Sequence, residues 1–173
     1  KYLVKPVNYR SYQFFSFLGE KAPQLLILLA VAAALLIFSV AVLGLMLSFP
    51  RVLAFLVSLI LALVLNFFIF YCVALISFWL TDVNLLFGTV SVVLVVVSGG
   101  VFPMDIFGER IAFAVNLLPF GYTTQFPVNI INGRFGLRET GAGFLCQIFW
   151  ICCFGMLAEI LWKRGLKRFT AVG

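Results

Sequence analysis

No charged residue lies between Arg51 and Asp82. The run between them, Val52 to Leu80, carries Ser58, Asn66 and Ser77 among aliphatic and aromatic side chains. As a helix rising ~1.5 Å per residue it outreaches a hydrocarbon core of ~30 Å, so it is expected to tilt or to project from the bilayer. The rest of the chain is of the same kind. Of its 173 residues 64% are hydrophobic and only 10% charged, and the mean hydropathy is +1.19. Soluble domains have about a quarter of their residues charged, and a chain this apolar has nowhere to put its surface in water. The expected fold class is an all-α membrane protein.

Three further runs complete the expected set of spans: 25–49, 52–80, 85–102 and 143–162. Ser48 to Arg51 reads as a tight turn in which Pro50 stops one helix and opens the next. Thr81 to Asn84 is a second, polar turn. The third run is rich in valine, a poor helix former in water but acceptable where lipid leaves the backbone no alternative. Three residues inside the spans, Asn66, Gln147 and Glu159, are candidate interhelical polar groups. An amide in lipid wants a hydrogen-bond partner, so Asn66 is expected to face another helix as packing glue. Glu159 has Lys163 at i+4, which favours an ordinary helix salt bridge over a proton relay.

The chemistry excluded is as informative. There is no His, so the commonest general base and zinc ligand are missing. Cys72, Cys146, Cys152 and Cys153 all fall in apolar runs and read as small buried hydrophobes rather than disulfides or metal ligands. No GxxxxGK[ST] phosphate loop is present, and no catalytic or metal-binding constellation emerges. The net charge of +6 reads as membrane orientation, not nucleic-acid binding. The chain opens on Lys1 with no signal peptide ahead of its first run, and is expected to lack its natural N-terminus.

Basic residues set the orientation. Lys1, Lys5, Arg10 and Lys21 precede the first span and Lys163, Arg164, Lys167 and Arg168 follow the last. An even number of spans puts both groups on one side, which the positive-inside rule makes cytoplasmic. Residues 1–22 then form a cytoplasmic amphipathic segment. After Pro6, Val7, Phe14, Phe15 and Leu18 share one helical face, which fits either a plain interfacial anchor or a contact surface for a soluble partner. Residues 163–173 are a basic cytoplasmic tail.

Residues 103–142 face outward. From Met104 to Leu118, Phe107, Ile111, Val115 and Leu118 recur at helical spacing, opposite Asp105, Glu109, Ala112 and Asn116. Pro119 ends this helix, and a second short helix is expected from Tyr122 to Asn132 with Gly133 as its stop. Two short helices straight after a span predict a hairpin dipping into the outer leaflet. Its role, a surface cap or a lid over an exit path, stays open on these grounds.

The order of these features resembles ABC-2-type transporter permeases, in the subgroup described as ABC-2 family transporter protein. A valine-rich span runs into SGGVFPMDIF, an amphipathic stretch ends NLLPFGY, and QFPVNIINGR leads to a last span with a basic tail. KPVNYRSYQFFSFLGE resembles that family's cytoplasmic segment between its second and third spans. The resemblance implies a permease subunit of an ATP-driven exporter, with these spans the third to sixth of six. Two halves would assemble with two ATPase subunits, which bind ATP and Mg, so no cofactor is expected in this chain. It implies a cell-membrane location, bacterial inner or plasma membrane, with lipid as the surroundings. It makes the Pro6 to Gly19 helix the coupling helix, with Pro6, Tyr9, Arg10, Tyr12 and Phe14 meeting the ATPase and Asp82 in a smaller contact. It makes Phe102, Pro103, Phe107, Pro119, Phe120, Phe126 and Pro127 an outer gate. The rival class is an ATP-independent membrane scaffold or channel subunit.

Overall fold

The computed structural model describes residues 12–23, 26–27, 29–30, 33, 48–80, 84–97 and 118–168. All secondary structure in them is helical. The chain forms two compact units, Lys1–Ser48 and Phe49–Gly173. Most of the first expected span, the turn at Thr81 to Val83 and the expected helix from Met104 to Leu117 lie outside the described residues.

In the first unit, helix α1 covers residues 12–23. Phe14, Phe17, Leu18 and Lys21 are partly buried, at the i, i+3, i+4, i+7 spacing of one helical face. Phe15 departs from the expected apolar face: it is 66% exposed and meets Phe14 edge-on, with ring centroids 5.9 Å apart. Adjacent helical residues differ by ~100°, so the two phenylalanines do not point the same way.

The second unit is built on two long helices, α2 (Phe49–Leu75) and α5 (Leu137–Arg168). Phe49 and Pro50 belong to α2 and not to a turn before it. A first-turn proline loses no hydrogen bond, because that N–H has no intrahelical partner anyway. The buried residues Phe55, Ser58, Ala62, Leu65, Ile69 and Cys72 recur at alternating steps of three and four, the seam expected of helices crossing at a shallow angle. Its small members let the backbones approach closely. α5 answers with Gly143, Gln147, Ala158 and Gly165, all buried. The pairing runs parallel: Ser58 meets Gln147, the Cys72 thiol reaches the Phe154 carbonyl at 3.5 Å, and Phe78 lies on Gly165. Both helices are long and apolar enough to cross a membrane.

Each end has a local cause. α2 tightens after Leu75 into a 3₁₀ turn, Ile76–Phe78, which drops the Phe78 ring onto the bare backbone of Gly165. Trp162 meets the same ring edge-on at 5.9 Å. α5 starts before the expected boundary at residue 143. Glu139 stands three residues after Gly136 and accepts its N–H at 2.8 Å, one half of a capping box. The helix also continues through Arg168, so residues 163–168 of the expected basic tail are helical. Cations there suit the negative end of the helix dipole.

Helix α3 is described over Asn84–Val97, and its hydroxyls are satisfied along the helix: Thr89 donates to the Leu85 carbonyl at 2.8 Å and Ser91 to that of Phe87 at 2.7 Å. Its 14 described residues rise ~21 Å, and Phe87 stacks on Phe70 of α2 at 6.1 Å. The expected helix from Tyr122 to Asn132 is split in two. Pro119–Thr123 is a 3₁₀ turn and α4 covers Gln125–Ile131. Pro127 explains the break, since a helix running through Thr123 would press the proline ring against that carbonyl. Gly133 does stop α4, at φ 71°, with the Arg134 N–H on the Asn129 carbonyl (3.0 Å) and the Gly133 N–H on that of Ile130 (3.1 Å). That is a Schellman ending. The Arg51 guanidinium covers Gly133, about 3 Å from where a Cβ would stand, at the negative end of α4.

Candidate functional site

The site is the place where the Pro119–Ile131 segment docks across α2 and α5. Leu118 is extended, as the residue before a proline prefers, and delivers Pro119 to the start of the 3₁₀ turn. The Thr123 hydroxyl closes the turn by donating to the Phe120 carbonyl at 2.7 Å. The turn's own carbonyls need donors wherever it meets apolar surface.

Gln147 of α5 supplies one. Its side chain is 0% exposed, and its Nε2 donates to the Tyr122 carbonyl at 2.9 Å and the Ser58 carbonyl at 3.2 Å, with the Ser58 hydroxyl at 3.5 Å. One amide thus ties α5, α2 and the turn together. Two backbone carbonyls demand the NH₂ group, which fixes the amide's orientation and leaves Oε1 buried with no hydrogen-bond partner among the described residues.

Around this knot lie two apolar clusters. On one side Phe126, 4% exposed, packs with Phe55 and Ile130. Its ring meets Tyr122, Phe135 and Phe144 at centroid distances of 5.8, 5.8 and 5.7 Å. It occupies the space that a Cβ on Gly143 would need. On the other side Phe120 packs against Leu65, Ile69 and Leu94, next to Trp150 and Phe154. Tyr122 touches both clusters. Burial, with the Cys146 thiol as hydrogen-bond neighbour, pushes its hydroxyl up to about 12, so it is neutral and a donor at any physiological pH. Of the expected gate residues, Pro119, Phe120, Phe126 and Pro127 are gathered here, Pro119 and Pro127 buried and Phe120 half-buried. Phe102, Pro103 and Phe107 lie outside the described residues.

The model of the family described as ABC-2 family transporter protein matches residues 1–173. The chain belongs to that family. No curated protein and no solved structure matches it. The family membership agrees with the motif resemblance, and it makes the chain a membrane transport permease of ABC-2 type, in keeping with its two long apolar helices.

For an ABC-2 permease the remaining candidate residues fall unevenly. Pro6, Tyr9, Arg10 and Asp82 lie outside the described residues, while Tyr12 is exposed and Phe14 half-buried on α1. Asn66 Oδ1 is buried with no hydrogen-bond partner among the described residues. Asn66 follows Leu65 on α2 and lies off the Ser58–Leu65–Cys72 seam. Glu159 pairs with Lys163 along its own helix at 3.3 Å. Three residues that carry the site, Ser58, Tyr122 and Gly143, are not singled out by the sequence reasoning above. The signal for Ser58 and Gly143 is their register, Ser58 three residues after Phe55 and Gly143 four before Gln147. The four cysteines are free, and the described residues hold no group of three metal-ligating side chains.

Proposed function

We propose that the chain is the transmembrane permease subunit of an ATP-driven ABC-2 exporter, with the energy supplied by separate ATPase subunits. The observation that carries this reading is the family match over residues 1–173. The parallel course of α2 and α5 supports the span count. If both cross the membrane in one direction, the chain between them crosses back, and α3 is the apolar helix placed to begin that return. With a span in residues 25–49 this makes four, and both ends are cytoplasmic. The Phe78–Gly165 contact joins the end of α2 to the end of α5, which supports an inner position for both ends.

In this reading α1 and the residues before it form the coupling helix, through Pro6, Tyr9, Arg10, Tyr12 and Phe14, with Asp82 as a second contact. The outward hairpin, including Phe102, Pro103, Phe107, Pro119, Phe120, Phe126 and Pro127, walls an outer gate against a second permease half. ATP-driven closure of the ATPases shifts the bundle between inward- and outward-open states. The test is purification of the full-length protein in mild detergent. A stoichiometric partner carrying a phosphate loop is expected, with ATP-dependent export after reconstitution. A lone permease that conducts without ATP would replace this reading with a channel.

A further inference from the structure

One face of α5 is buried against α2, and the opposite face is a single stripe. Leu145, Phe149, Cys152, Met156 and Ile160 are all exposed, at steps of four, three, four and four. The next two positions in the same register are Lys163 and Lys167, also exposed. The apolar part spans ~22 Å of helix and the lysines stand ~27 and ~33 Å from Leu145, about where a hydrocarbon core of ~30 Å gives way to headgroups.

These lysines do not sit on a fraying end. Between them Gly165 faces the other way and is buried beneath Phe78, with Trp162 against the same ring, so the last two turns are clamped to α2. The clamp fixes the backbone that carries both lysines on the same line as the greasy stripe. Lys163 spends part of its charge on Glu159 at 3.3 Å, and Arg164 adds a third exposed cation one residue round the helix.

We propose that this stripe and its two lysines form a binding site for an anionic phospholipid of the inner leaflet, the acyl chain along Phe149, Met156 and Ile160 and the phosphate at Lys163 and Lys167. Charge complementarity selects this occupant: an apolar stripe that ends in cations matches an acyl chain that ends in an anion, and the cytoplasmic leaflet carries the anionic lipid. The inference rests on the orientation proposed above, but not on ATP coupling.

The experiment uses the full-length permease with Trp162 as its single tryptophan, in nanodiscs containing brominated phosphatidylglycerol or brominated phosphatidylcholine. Trp162 fluorescence is expected to be quenched preferentially by phosphatidylglycerol, with an association up to about fivefold stronger per lysine. Lys163→Gln with Lys167→Gln should abolish the preference, and Lys163→Arg with Lys167→Arg should keep it. Equal quenching by both lipids, or a preference that survives the glutamine pair, overturns the site. Absence of quenching by either lipid also overturns it. So does loss of ATPase co-purification in the glutamine pair with the lipid preference intact, which assigns the lysines to the ATPase. Loss of the lipid preference with ATPase binding retained supports the site, and failure of ATPase binding in the unmodified protein tests only the exporter reading.

Discussion

Two glycines two residues apart on α5 face opposite conditions. A Cβ on Gly141 meets nothing within 4 Å, whereas one on Gly143 falls inside the Phe126 ring. In a helix, glycine is about 1 kcal/mol worse than alanine, so Gly141→Ala should be neutral or raise the melting temperature of the purified protein. Gly143→Ala should lower it, because overpacking costs about 1–3 kcal/mol and outweighs the same propensity gain. Shrinking the ring with Phe126→Leu should return part of the loss. Equal effects at the two glycines would mean that Phe126 does not lie on α5. Gln147 calls for a different estimate. Interhelical hydrogen bonds in membranes are worth about 0.6 kcal/mol on average, so its pair of short bonds chiefly sets register.

That distinction explains what is legible in the sequence. Glycine at positive φ leaves a readable sign, and Gly133 reads as a helix stop from its surroundings alone. Gly143 leaves none, because its need for a missing side chain is created by Phe126, seventeen positions away in the chain. Ser58 reads as an ordinary hydroxyl in an apolar run until Gln147 comes to rest on it. The split at Thr124 is readable in principle, since Pro127 forbids the longer helix.

At the scale of elements, the 3₁₀ turn and α4 are joined to α2 and α5 by Gln147, by the Phe126 ring on Gly143 and by Arg51 over Gly133. Such a segment should move with those helices and not swing away from them. In a background without native cysteines, Phe126→Cys removes the ring and makes room for Gly143→Cys. The geometry then places the two thiols within cross-linking range, since Phe126 Cδ2 lies 2.7 Å from where a Cβ on Gly143 would stand. If the proposed gate opens by separation of two permease halves, ATP-driven export persists after cross-linking. Export that stops on oxidation and returns with reductant would make the segment a swinging lid. The long helices are plain in the sequence because uninterrupted apolar length is itself the signal. Their parallel pairing is not, because it is set by contacts between residues far apart in the chain.

For the whole molecule the decisive question is whether α1 transmits force. Arg10→Glu or Phe14→Asp should leave the Phe49–Gly173 unit folded, with an unchanged melting temperature, while export falls severely and ATP hydrolysis continues. Undiminished transport in both variants would remove α1 from the coupling path.

Gln147 also bears on how such a chain is made. Its partners, Ser58 and Tyr122, emerge from the ribosome 89 and 25 residues earlier than it does, and at roughly 5–20 residues per second they wait for it over seconds. The Tyr122 carbonyl has no donor from Gln147 until α5 lies beside it. A nascent chain stalled before Gln147 would therefore hold the turn and α2 without the amide that joins them, and would present unsatisfied carbonyls to the cell's quality control.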